Sequence, residues 1–330
     1  MDNISSQYTQ KFIDNVCSLR NVDDSKIIQL LTLDNNNPYF SYNQTISEFM
    51  LYFLLNKKNI NFEIEKNKNP SNDKNVDVCF NFSGINFNIE IKSPEFDWSL
   101  KDDTLRISSI FRQVEKKEHD EKMNELKSMI SEYLEATEYK SIQIRNLTDN
   151  KIKSCLLNAQ DKFGDPSSIE LNILFINSTT TEMISYWNYI VNYKTGFFHP
   201  HSDVSCFQFK VDGKIIREKK LNKKMYNKVN MIILSNALTL NEREDCSAWD
   251  ISKSINIFLR NPNSKKISYN GLKLLEEIFP NKTVEFEKFI TTSVRNNLGI
   301  PAMVHFYSFM SNNGFDVNEE KEKIKRKKGK

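Results

Sequence analysis

The chain has 330 residues, 39% hydrophobic and 27% charged, with a formal net charge of +3. That composition suits a soluble globular protein with a sizeable core and excludes a collagen-like, coiled-coil or low-complexity chain. No apolar run reaches the length of a membrane span, and the N-terminus lacks the basic-then-apolar order of a signal peptide, so the expectation is a cytoplasmic protein with no membrane partner. Cys17, Cys79, Cys155, Cys206 and Cys246 are odd in number and far apart, without a CxxC pair, which argues against a disulfide framework or a thiolate zinc site. His119, His199, His201 and His305 are too scattered for a histidine metal centre, and His199 and His201 read as an exposed turn about Pro200.

Residues 5–34 read as one or two short helices that end near the turn signal Asn35-Asn36-Asn37-Pro38. From Thr45 to Asn56, Ile46, Phe49, Met50, Phe53 and Leu54 recur at helical spacing. A short strand over Asn61 to Glu65 and a polar loop with Pro70 follow. Residues 75–92 alternate with period two. Residues 105–140 are charged and helix-prone, and a further helix runs near Lys151 to Phe163, ending at Gly164-Asp165-Pro166. Leu171 to Ile176 and Met231 to Leu234 read as buried strands, and residues 245–310 as mainly helical, broken at Pro262, Pro280 and Pro301. Trp98, Trp187 and Trp249 are expected in packing roles. The last twelve residues hold Lys321, Lys323, Lys325, Arg326, Lys327, Lys328 and Lys330, a solvated basic tail able to bind phosphate backbones weakly.

The period-two segment carries the chemistry. In Val76 to Phe82, Val76, Val78, Phe80 and Phe82 share one face and Asp77, Cys79 and Asn81 the other. In Ile85 to Lys92, Ile85, Phe87, Ile89 and Ile91 share one face, and Asn86, Asn88, Glu90 and Lys92 the other. Ser83-Gly84 suits a two-residue hairpin turn. That turn pairs Phe82 with Ile85, Phe80 with Phe87 and Val78 with Ile89, gathering the apolar residues on one side. Asp77 then faces Glu90, with Cβ atoms ~5 Å apart. Like charges so placed are destabilising unless neutralised, and Mg²⁺, with Mn²⁺ as a substitute, favours carboxylate oxygens. Lys92 projects from the same face, where it can position the attacking water and stabilise charge on phosphate.

Asp77, a twelve-residue spacer and then Glu90-Ile91-Lys92 at a strand end resemble the signature of the PD-(D/E)XK nuclease superfamily, with Val76 where that family often has proline. Other E-x-K triplets, at Glu115, Glu125, Glu138, Glu218 and Glu319, lie in charged helix-like or tail segments, whereas Glu90-Lys92 lies in a strand paired with an aspartate. The alternative for the hairpin is a solvent-facing surface with incidental charges. The resemblance covers roughly residues 45–95 and extends loosely to 151–176. It implies a restriction-endonuclease-like α/β fold, a mixed central sheet flanked by helices with helical additions at both ends. It implies metal ligation by Asp77, Glu90 and the Ile91 carbonyl, with Lys92 serving the nucleophilic water. Glu48 is a family-style further ligand or, through Thr45-Ile46-Ser47-Glu48, a capping-box residue. Gln160, with Lys162 beside it, could face the site from the following helix or lie on a solvated face.

The organisation expected is a helical segment over 1–40, a nuclease core over 41–240 with a helical insertion at about 99–145, a mainly helical region over 241–318, and the basic tail 319–330. The activity expected is Mg²⁺-dependent endonucleolytic hydrolysis of DNA, in restriction or antiviral defence, with a homodimer as one assembly. The alternatives are an RNA-cleaving nuclease with the same site and a silent nucleic-acid-binding module.

Overall fold

The computed structural model describes residues 38–94, 104–108, 141–145, 148–179, 209–211, 214–216, 226–238, 250–264 and 268–288, with single positions within 14–27 and 183–198. The chain is α/β. A six-stranded mixed sheet has the order β1 (Phe62–Asn67), β2 (Asn75–Phe82), β3 (Ile85–Lys92), β6 (Glu170–Asn177), β9 (Met231–Ser235) and β10 (Asn256–Arg260). The strands β1, β2 and β3 form an antiparallel meander, β3–β6 and β6–β9 are parallel, and β10 returns antiparallel at the edge. Two small ladders stand apart: β4 (Thr104–Ser108) with β5 (Ser141–Arg145), parallel, and β7 (Phe209–Val211) with β8 (Lys214–Ile216), antiparallel. Among the described residues no helix is long and apolar enough to cross a membrane.

Helix α1 (Pro38–Lys57) starts at a proline, whose missing N–H is no loss in a first turn. Ile46, Phe49, Met50, Leu51, Tyr52, Leu54 and Leu55 are all buried. It ends in a Schellman turn: Asn59 takes the left-handed φ of 55°, and the Ile60 N–H donates to the Leu55 carbonyl at 2.9 Å. Tyr52 stacks on Phe62, which pairs with Phe80, so α1 covers the apolar face of the meander. Helix α2 (Thr148–Lys162) covers the opposite face, and α3 (Tyr269–Ile278) brings Gly271 against Ile85. Buried Val16, Leu19, Val22 and Ile27 add the N-terminal segment to the core.

Three expectations are corrected. Residues 104–108, placed in the helical insertion, form a strand, and so do 141–145, as the alternation of Leu105 with Ile107 and Ile142 with Ile144 allows. Residues 256–260, within the supposedly helical C-terminal region, are strand β10; the segment is too short for a helix to outcompete the open edge of β9. Helix α1 begins seven residues before Thr45, so Thr45 and Glu48 lie in its interior and form no capping box. The basic tail, His199, His201, Trp98, Trp249 and residues 109–140 lie outside the described residues.

Candidate metal centre on the meander

The β2–β3 hairpin has the register that its residues dictate. Ser83 (φ 51°) and Gly84 (φ 80°) both occupy the left-handed region, as a type I′ turn requires. Pairs run from Phe82 with Ile85 to Val78 with Ile89, with Phe80 stacked on Phe87 at 4.9 Å. Past Val78 the ladder ends, and a side chain takes over: Asp77 Oδ2 accepts the Ile91 N–H at 2.7 Å. On its other flank, β1 pairs Ile64 with Val78 and Lys66 with Val76, while the intervening Glu65 is held at φ 51°. A non-glycine residue in that region is strained, and such strain gathers at functional sites.

Four charges meet beside this opening. Glu90 is fully buried, and its Oε1 lies 2.6 Å from Lys92 Nζ and 2.8 Å from Lys162 Nζ. Lys162 also donates to Asp77 Oδ1 at 3.0 Å, so one ammonium touches both carboxylates. Glu90 Oε2 is buried with no hydrogen-bond partner among the described residues. Burial first, then the Asp77 charge, pushes the Glu90 carboxyl up to about 6, against the pull of Lys92 and Lys162. Burial pulls the Lys92 ammonium down, but Glu90 and Asp77 outweigh it and its pKa is raised. Lys92 is therefore charged at neutral pH, suited to orienting water and stabilising anionic charge rather than accepting a proton.

Helix α1 fixes the end of β3. Gln44 Nε2 donates to the Ile91 carbonyl at 3.1 Å, and Gln44 Oε1 accepts the Ser93 N–H at 3.1 Å, clamping the backbone on both sides of Lys92. Ser47 meets Ser93 Oγ at 2.6 Å, and the Tyr186 hydroxyl donates to the Pro94 carbonyl at 2.9 Å. Sequence reasoning missed Gln44, a lone polar residue in a helix, because its partners lie 47 and 49 positions away.

Of the expected residues, the structure brings Asp77, Glu90, Lys92 and the Ile91 backbone together. Glu48 Oε1 accepts from Gln44 Nε2 at 2.9 Å, and Glu48 and Asp77 both act on the Tyr52 hydroxyl, whose pKa burial and these charges raise. Glu48 thus borders the site through Gln44 and Tyr52, and among the described residues no three acidic, thiol or imidazole side chains form a cluster that could hold a metal ion. Gln160 turns away: its Oε1 accepts the Lys228 N–H at 2.7 Å and its Nε2 donates to Asn227 at 2.9 Å. Positions two apart on a helix do not share a direction, and Lys162 reaches the carboxylates while Gln160 reaches Asn227 and Lys228.

The donor set still fits a hard divalent cation. It offers two facing carboxylates, one with an orphaned buried oxygen, and a carbonyl that keeps a second lone pair beside its bond to Gln44. One side-chain step along β3 from Glu90, a cavity of about 470 Å³ is lined by Lys68, Asn88, Asn172 and Lys228. Cys79 and Cys155 lie on this face as free thiols, and burial pushes both up to about 11, which keeps them protonated. Compared with known proteins, the chain matches no family model, no curated protein and no solved structure, so its site stands on its own residues.

Proposed function

We propose that this chain is a Mg²⁺-dependent nuclease with a restriction-endonuclease-like core, hydrolysing DNA phosphodiester bonds as an endonuclease in restriction or phage defence. The observation that carries the reading is the cross-strand pair Asp77 and Glu90, bridged by a cation and flanked by charged Lys92, at the point where the hairpin ladder ends. The six-stranded mixed sheet with α1 and α2 packed against it supports the fold assignment, because the resemblance drawn from the motif implies a mixed central sheet flanked by helices.

Asp77, Glu90 and the Ile91 carbonyl would hold Mg²⁺ or Mn²⁺, with Glu48 at the border. A bound Mg²⁺ supplies an acidified water and a polarised phosphate. Lys92, with its flanking backbone pinned by Gln44, would place an ammonium against the developing charge of an in-line displacement. The adjoining cavity is charge-balanced, with Lys68 and Lys228 set against Asp165 and Glu170.

The test is purified chain on supercoiled plasmid and on single-stranded RNA, with Mg²⁺ and with EDTA. Plasmid cleavage that EDTA abolishes is expected. Asp77→Asn and Lys92→Ala should each lower it by about 10²-fold or more at unchanged circular dichroism. Cleavage of RNA alone would move the substrate to RNA, and wild-type rates for Lys92→Ala would remove the mechanism. One observation favours a second reading: the two ammoniums already neutralise the two carboxylates, as in a structural ion network. A silent module would bind nucleic acid yet take up neither Mg²⁺ nor Mn²⁺ in calorimetry.

A further inference from the structure

We propose that Lys162 is the resident cation of this centre: its ammonium holds the place of the divalent ion between Asp77 and Glu90 and withdraws toward substrate phosphate when the ion enters. The inference rests on the nuclease reading and deepens it, because it assigns a second lysine and an order of events to the same site.

The first support is position. Lys162 Nζ lies 3.0 Å from Asp77 Oδ1 and 2.8 Å from Glu90 Oε1, the bridging contact that a divalent ion would make. Without a cation there, two facing carboxylates would repel across the diverging hairpin. An ammonium is an incomplete substitute, since it leaves Glu90 Oε2 buried and without a hydrogen-bond partner among the described residues.

The second support is charge. Asp77 and Glu90 carry −2 when ionised and Lys92 with Lys162 carry +2, a neutral quartet around a carboxylate with no exposure. Adding a divalent ion with both ammoniums in place would leave two uncompensated positive charges in a poorly solvated site. Withdrawal of one ammonium lowers that excess to a single charge, which the phosphate of a substrate balances.

The third support is which ammonium can withdraw. Among the described residues the Lys92 ammonium pairs with Glu90 and not with Asp77, and Gln44 pins the backbone at Ile91 and Ser93 on either side of it. Lys162 and Lys92 are equally half-buried, but Lys162 is the last residue of α2, with a long side chain whose ammonium can swing out while the helix end stays fixed. Gln160 provides that fixture by holding Asn227 and Lys228. The displaced ammonium emerges beside the site, next to the phosphate being cleaved.

Titration calorimetry of Mn²⁺ into the wild-type chain, Lys162→Met and Lys162→Gln tests the inference. Removing a competing cation should tighten Mn²⁺ binding about tenfold, although a merely structural bridge would weaken or not change it. Melting temperature without metal should fall in both variants and recover on adding Mn²⁺. A crystal of the wild-type chain soaked in Mn²⁺ needs no variant: metal between Asp77 and Glu90 should be accompanied by Lys162 Nζ more than about 4 Å from both. Metal bound with Lys162 still bridging, or variants that bind Mn²⁺ no tighter than wild type, would overturn the role of Lys162 and leave the nuclease intact. No Mn²⁺ binding by any of the three proteins would overturn both.

Discussion

At Glu90, two ammonium groups lie within 2.8 Å of one carboxylate oxygen, yet the carboxyl is raised from 4.5 to about 6 because burial costs more than the pairing returns. In an acid, a folded-state pKa above the unfolded one means that the native chain holds its proton to higher pH. The stabilisation from that proton is present below about 4.5 and lost as pH rises through about 6. A shift of this size is worth about 2 kcal/mol. The stability difference between wild type and Glu90→Gln, measured by urea unfolding without metal, should therefore shift by about 2 kcal/mol against the wild type between pH 4 and pH 7. A flat difference would mean that burial does not outweigh the two ion pairs at Glu90.

The elements around the centre are held by backbone groups that side chains complete. Asn69 and Asn72 amides both donate to the Asp161 carbonyl, at 2.6 and 2.8 Å, capping the end of α2 that carries Lys162. Gly164 follows that end, and a Cβ there would come within 2.6 Å of the Lys68 carbonyl oxygen, which is backbone and cannot rotate away. Gly164→Ala should cost about 1–3 kcal/mol by forcing the 68–72 loop off α2. Gly84→Ala is the control. It has the same chemistry and a φ of 80° but nothing within 4 Å, so only backbone strain of about 1 kcal/mol applies. Chemical denaturation of both variants checks the order, and only Gly164→Ala should also disturb the Lys162 contacts and so the metal affinity.

For the molecule as a whole, β6 is the central joint, parallel to both neighbours and buried over Leu171 to Asn177. Phe175 is fully buried and packs on Phe279 with ring centroids 5.8 Å apart, tying the C-terminal helices to the sheet. Phe175→Ala should cost about 3–5 kcal/mol. That is a large share of the roughly 5–15 kcal/mol of a typical domain. Val284, 59% exposed, is the comparison: Val284→Ala should stay within about 0.5 kcal/mol. A melting temperature for Phe175→Ala equal to that of Val284→Ala would mean that Phe175 and Phe279 do not share one core.

Sequence alone determined what is local. Strict alternation over residues 75–92 and the Ser83-Gly84 turn set the hairpin register, because a period of two allows one facing arrangement and the turn fixes which residues meet. Asp77, Glu90 and Lys92 thus share a face before any tertiary contact is known. The helix before the meander, the helix over 148–162 and the strands over 170–177 and 231–235 were legible from period and burial in the same way. Tertiary structure decided the rest. Lys162 rather than Gln160 reaches the carboxylates, 85 residues from Asp77, because the roll of α2 against β2 and β6 leaves no trace in local spacing. Gln44 clamps Lys92, Glu48 serves Gln44 rather than a helix cap, and residues 256–260 join an open sheet edge, all through partners far along the chain. Sequence placed the carboxylates opposite each other; only the packed helices determined which cation stands between them.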